Sequence, residues 1–363
     1  MYPVCPELLT STTDINVQYL LTRWYMPRDL QTRIAVFFCS SALSGAFSGL
    51  LAYAIAKMDG IGGYEGWRWI FILEGAATVA LGLATYFFMV DNPNLSTKWL
   101  TSDEIRYLNV QTQVREGGVT AMEKADKFRW VELFAIFKDP KTYLQGWILF
   151  AQTAAQYGFK FTMPTITKSM GFKNSQAQLL TIPPYVLGAI SSVVFAKISD
   201  RFYWRMPFIV IPFCLIVTGL GISFAMAPTI KDHIAAVYVA VCIVCMGLYP
   251  INPAGSAWIS SNLAGSSKRA MGVAFNIAFG NFGGILGSYM FLDKEAKKGY
   301  PTGFGIGLGC AASAIFSTLL LEYIYWSTNK KREAMSEDEV RAMYTEEQLA
   351  KMGNDSPLFK YSL

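Results

Sequence analysis

The sequence predicts an all-α membrane protein, a bundle of about eight helical spans, and three observations carry that expectation. First, 53% of the 363 residues are hydrophobic and only 16% are charged, whereas a soluble domain carries roughly a quarter of its residues charged. Second, the charge deficit falls in blocks: 34–56, 206–226 and 234–259 contain no Asp, Glu, Lys or Arg. A bilayer core about 30 Å thick needs ~20 apolar residues in a helix, so blocks of this length are long enough to cross it. Third, Lys and Arg gather in alternate connections, as they do in polytopic membrane proteins.

Taken in order, the expected spans are 34–56, 69–90, 142–166, 176–196, 206–226, 234–260, 270–291 and 304–326. Before them, 17–26 is too short to cross. Within the polar stretch 91–141, "TSDEIRYLNVQTQV" opens with Thr101 three residues before Glu104, a capping-box signature for a short surface helix. After the last span, 327–363 reads as a charged helical tail. One set of connections holds Arg23, Arg28 and Arg33, then 91–141, then Lys197, Arg201 and Arg205, then Lys268 and Arg269, then Lys330, Lys331 and Arg332. The positive-inside rule puts that set and the C-terminus in the cytoplasm, and the sequon Asn94-Leu95-Ser96 should then stay unglycosylated. Because the +5 net charge sits in connections, it argues for membrane orientation and against nucleic acid. Residues 1–16 lack the basic and apolar regions of a signal peptide. Cys242 and Cys245 lie inside an apolar run with no partner ligands nearby, so neither a metal site nor a cofactor is expected.

The run "KISDRFYWR" concentrates charge between two apolar blocks and reads as a two-turn connection. Positive-inside anchoring accounts for its bases, but not for Asp200 beside Arg201 and ahead of Arg205. An acid among guanidiniums at a helix end can form a charge-assisted network to a neighbouring helix, and such a network, made in one conformation and broken in another, is a gate latch. In 142–166, Gln145, Gln152, Gln156 and Lys160 fall on one helical stripe. Polar groups facing lipid are unfavourable, so the stripe faces protein or water. It lines a cavity in which Lys160 meets an organic carboxylate beside Tyr157, or else Lys160 snorkels to the headgroups. Glu74 is a proton carrier or the partner of a base such as Arg68. Asn276 and Asn281 bond helix to helix or touch solute, and Pro250 and Pro253 around Asn252 break a helix that moves or lines a cavity. Glu322, near the inner end of the last span, is interfacial. No catalytic motif and no P-loop occurs, so neither an enzyme nor an ATP-driven pump is expected.

The D-R-x-x-x-R pattern at Asp200, Arg201 and Arg205, with the long connection before 142–166, resembles the major facilitator superfamily. "LLTRWYMPRDLQTRIAVFFCSSALSGAFSGLLAYAI", "GYEGWRWIFILEGAATVALG" and "GLYPINPAGSAWISSNLAGSSKRAMGVAFNIAFGNFGGILGSYMF" resemble its fungal anion:cation symporter branch, the allantoate, nicotinate and pantothenate permease type. That resemblance implies twelve spans, with this chain aligning from the tail of the fourth and the first three lacking a counterpart. It further implies a shortened N-terminal half over 1–90, a central connection over 91–141, a six-helix half over 142–326 and a tail over 327–363. The implied activity is proton-coupled uptake of a small organic anion at the plasma membrane by alternating access. The alternative is a truncated form that inserts in the bilayer without transporting, or only binds a partner. The resemblance also implies that the Gly280-x-x-x-Gly284 and Gly283-x-x-x-Gly287 ridges of 270–291 face a helix among those lacking a counterpart.

Overall fold

A computed structural model describes residues 27–88, 100–116, 130–169, 179–202, 204–226, 233–292, 300–345 and 352–363, with a few isolated positions besides. Most of 17–26, the sequon at 94–96 and the flanks of 102–116 lie outside the described residues. Every regular element described is helical. In chain order these are α1 (Pro27–Ala56), α2 (Gly66–Phe88), α3 (Ser102–Glu116), α4 (Trp130–Lys138), α5 (Pro140–Ser169) and α6 (Ile182–Phe202). Then follow α7 (Pro207–Met226), α8 (Ile234–Ser261), α9 (Ser266–Met290), α10 (Pro301–Glu333) and α11 (Glu337–Met343). Among the described residues six helices, α2 and α6 to α10, are long and apolar enough to cross a membrane. α1 and α5, 30 residues each, occupy the two remaining expected spans.

Local chemistry explains the boundaries. Proline stands first in α1, α5, α7 and α10, where its missing N–H has no intrahelical partner to lose and its φ suits the helix. Asp139 precedes α5, and its carboxylate accepts from the Lys141 N–H at 3.0 Å. At α3 the expected box is present. The Thr101 backbone N–H and hydroxyl both donate to the Glu104 carboxylate at 2.8 Å. The Glu104 N–H donates back to the Thr101 hydroxyl at 3.4 Å. These donors, the backbone one foremost, hold the Glu104 carboxyl below the usual carboxylate range.

α8 is the centre of the bundle. It packs against α1, α5, α6 and α7, and its buried face includes Val244, Leu248, Ile251 and Trp258. α9 lies along α5 on glycine. A Cβ on Gly283 would press on the Phe150 carbonyl and reach the Ala154 nitrogen at 3.1 Å, and one on Gly287 would reach the Gly158 nitrogen at 2.9 Å. Small residues let two backbones touch. α2 is peripheral: among its described side-chain positions only Gly66, at its start, is buried, and Phe71 and Phe87 are 73% and 78% exposed.

Three expectations need correction. "KISDRFYWR" is not a two-turn loop: α6 begins late, at Ile182, and carries Lys197, Asp200 and Arg201 in its last turns. Pro183 and Pro184 sit in its first turn, the part of a helix that tolerates proline. The glycine ridges of α9 are already in use against α5, and bulky Phe282, Ile285 and Tyr289 occupy the exposed face instead. The tail is not one helix. α10 continues to Glu333, α11 is a seven-residue helix started by a Ser336/Glu339 capping box, and 352–363 is a largely non-helical segment packed on the bundle.

Candidate functional site

The charged run folds into a buried polar cluster at the basic end of the bundle. The C-terminal turn of α6 presents Ser199 and Asp200, and the short connection to α7 presents Arg205. Arg205 Nη1 donates to Asp200 Oδ1 at 2.7 Å, to Gln31 Oε1 at 2.6 Å and to Ser199 Oγ at 3.1 Å. Ser199 also donates to Gln31 Oε1 at 2.7 Å. The second Asp200 oxygen accepts from the Thr32 backbone N–H at 2.8 Å. Gln31 and Ser199 are fully buried, Arg205 is 2% exposed and Asp200 8%. Charge-assisted bonds of this length, shielded from water, are strong, and removing one partner would leave the other charge stranded. Arg201 is exposed and stands outside the cluster. Nearby, Trp204 Nε1 donates to the half-buried Glu322 at 2.8 Å.

The polar stripe of α5 turns toward α8. Gln145 Nε2 donates to the Gly255 carbonyl at 3.1 Å. Gln152 Nε2 donates to the Leu248 carbonyl at 3.1 Å and to Gln156 Oε1 at 2.7 Å. Gln145 and Gln152 are buried, Gln156 is half-buried and Lys160 is exposed. Counting 1.5 Å per residue from the basic end, Gln152 lies ~18 Å along α5, Asn252 ~14 Å along α8 and Asn276 ~15 Å along α9, all near mid-bilayer. Lys160 lies ~30 Å along α5, near the far boundary of a 30 Å core. The structure therefore groups the three amides by depth and separates the lysine from them. Asn276 is 2% exposed, and its Oδ1 has no hydrogen-bond partner among the described residues. Asn252 Oδ1 accepts from Ser256 at 3.2 Å. Tyr157 packs its ring 3.4 Å from where a Gly284 Cβ would stand, and Asn281 is exposed. Glu74 is exposed on α2. Arg68 pairs with Glu65 at 3.8 Å rather than with Glu74.

The proline break in α8 is repaired from α6. Pro250 and Pro253 supply no N–H to the carbonyls four residues back, those of Met246 and Tyr249. Ser191 donates to Met246 O at 2.5 Å and Ser192 to Tyr249 O at 3.4 Å. Sequence reasoning missed both serines, as it missed Gln31, Thr32 and Ser199. The signal for the serines was present: two freed carbonyls deep in a span demand donors.

A family model described as the Major Facilitator Superfamily matches residues 8–288. The chain belongs to the Major Facilitator Superfamily. As a superfamily member it is a multi-pass integral membrane protein, and its named relatives are transporters. The MFS-type transporter cnsO of Penicillium expansum is 31% identical over 358 residues, 95% of this chain and 67% of that one. The high-affinity nicotinic acid transporter of Saccharomyces cerevisiae is 30% identical over 320 residues, 88% of this chain and 57% of that protein. An uncharacterized transporter of Schizosaccharomyces pombe, C1002.16c, is 33% identical over 305 residues, 84% of this chain and 58% of that one. The chain thus spans between 57% and 67% of the length of these three curated relatives. Among solved structures, the superfamily's proton:xylose symporter XylE aligns with a TM-score of 0.65 at 15% identity, over 85% of this chain and 67% of that one. That likeness is one of fold.

Proposed function

We propose that the chain is part of a secondary transporter moving a small organic anion together with protons by alternating access. The observation that carries this reading is the Asp200–Arg205–Gln31 cluster, a buried ionic bridge between α1 and the α6–α7 corner at the basic end. In the proposed division, 1–90 belongs to one half, 142–326 to the other, 91–141 connects them and 327–363 is the cytoplasmic tail. The bridge then holds the halves together on the cytoplasmic side, and opening that side requires breaking it. Arg201, exposed beside it, interacts with lipid headgroups rather than with the latch. The solute sits at mid-depth, where Gln152, Gln156, Asn252 and Asn276 offer amide groups and Tyr157 an aromatic wall. Asn281 and Lys160 contact it nearer the far side, and Glu74 exchanges the proton. An organic carboxylate such as nicotinate, allantoate or pantothenate suits this set, and a relative named for nicotinic acid supports the class.

The test is uptake of labelled nicotinate, allantoate and pantothenate by cells that express the chain and lack their own carriers for these solutes. Uptake above the empty-vector control, at the plasma membrane and abolished by collapsing the proton gradient, is the expected result. Asp200→Ala should impair it at equal membrane abundance. No uptake of any of the three at matched abundance refutes the reading for this chain. It would favour a membrane-inserted form that does not transport.

A further inference from the structure

Residues 352–363 form an ordered strap across the basic end of the bundle, held mainly through its main chain. Two asparagines each read both polar groups of one strap residue. Asn262, just after α8, donates to Ser362 O at 3.0 Å and accepts from Ser362 N at 2.7 Å. Asn329 on α10 donates to Tyr361 O and accepts from Tyr361 N, both at 2.8 Å. Trp258 Nε1 adds a bond to Ser362 O at 2.9 Å. Arg332 donates to the carbonyls of Phe359 at 2.5 Å and Asn354 at 2.7 Å. Between these contacts Tyr361 inserts its ring. It stacks on Tyr325 with centroids 4.6 Å apart, and its hydroxyl accepts from Lys141 at 2.7 Å. The strap therefore ties together the inner ends of α5, α8 and α10.

Its last contact reaches the latch. The backbone N–H of Arg205 donates to the main-chain oxygen of Leu363 at 2.7 Å. The Arg205 carbonyl accepts from Phe208 N in the first turn of α7 at 3.1 Å. One residue thus has its main chain fixed by the strap and by α7, while its side chain bridges Asp200, Ser199 and Gln31. Arg205 is 2% exposed, and a buried main-chain donor is rarely left unpaired. Once Leu363 leaves, residue 205 must shift toward water or admit it. A shift of even 1 Å would stretch bonds of 2.6–2.7 Å beyond the range of good charge-assisted hydrogen bonds.

We propose that the 352–363 strap is a regulatory clasp: seated, it fixes Arg205 where it can bridge Asp200 to Gln31, and lifted, it weakens that bridge. Whatever displaces the strap therefore biases the bundle toward opening at its basic end. The coupling acts on the latch proposed above, so the test reads the cluster itself and needs no solute movement.

Amide hydrogen exchange is measured on the full chain in nanodiscs. The parent is compared with the Asn262→Ala/Asn329→Ala variant, which unfastens the strap without touching residue 205. Exchange over 352–363 should rise about tenfold. Exchange over the peptides holding Thr32 and Ser199–Arg205 should rise about fivefold, with the α5–α9 seam unchanged. Coupling is reciprocal, so Gln31→Ala should in turn raise exchange in the strap. A strap that opens while Thr32 and Arg205 stay protected overturns the proposal and leaves a static clip. A strap that does not open at all in the double variant overturns it too. If the seam also loosens, Tyr361→Phe decides, because it keeps the ring stack and loses the hydroxyl's bonds to Lys141 and the Asn354 carbonyl. Strap opening without a response at Thr32 in that variant again refutes the coupling.

Discussion

Gly283 and Gly284 are neighbours on α9, yet alanine should have opposite effects at the two positions. At Gly283 the new methyl would press on the Phe150 carbonyl oxygen and lie 2.9 Å from its carbon and 3.1 Å from the Ala154 nitrogen. Comfortable carbon contacts begin near 3.5 Å, so the seam must open by more than half an ångström. The obstructing atoms are α5 main chain, which cannot rotate away. Overpacking of this kind costs about 1–3 kcal/mol, offset by roughly 0.8–1.0 kcal/mol of helix propensity gained on replacing glycine. At Gly284 the methyl would meet the Tyr157 ring at 3.4 Å, an ordinary contact, and most of the propensity gain is kept. The expected gap between the two variants is about 2 kcal/mol, ~30-fold in the folded-to-unfolded ratio. Unfolding by denaturing detergent, followed by tryptophan fluorescence from micelles of fixed composition, measures it. Gly283→Ala equal to or more stable than Gly284→Ala would refute the account of the seam.

Three further outcomes follow from named contacts. Arg205→Leu strands a buried Asp200 and should destabilise by about 3–5 kcal/mol, whereas adding Asp200→Asn should recover part of that loss in the same unfolding assay. Ser191→Ala leaves the Met246 carbonyl unpaired at a cost of about 1–3 kcal/mol. In a Pro250→Ala background the residue-250 amide can take that carbonyl, so the cost should shrink; an equal cost in both backgrounds would mean the serine does not repair the break. Asn276→Leu removes an amide whose oxygen has no partner among the described residues. It should leave stability unchanged or slightly raised while reducing uptake, and full uptake would remove Asn276 from the solute path.

The spans were legible because a bilayer imposes a length, and the blocks met it wherever charge was absent. Their ends were less so. The α6 boundary moved because Pro183 and Pro184 suit a first turn while charged residues are tolerated in a last one, so hydropathy alone placed the helix too early. Asp200 and Arg205 were found from charge in an apolar context. Gln31, Thr32 and Ser199 were not, because nothing local distinguishes a neutral polar residue that awaits a partner 168 positions away. Gln145 and Gln152 of the α5 stripe face α8, but depth along the helix separates Lys160 from the glutamines, and a face says nothing about depth. The strap escaped because main-chain recognition leaves almost no trace in residue type.

α8 is gripped by its neighbours largely through its carbonyls. Those of Met246, Leu248, Tyr249 and Gly255 accept from Ser191, Gln152, Ser192 and Gln145. These four hydrogen bonds are therefore indifferent to which side chains α8 bears at those levels, although the buried ones still have to pack. A lineage could exchange residues of similar volume along α8 and still keep the helix moored by its backbone.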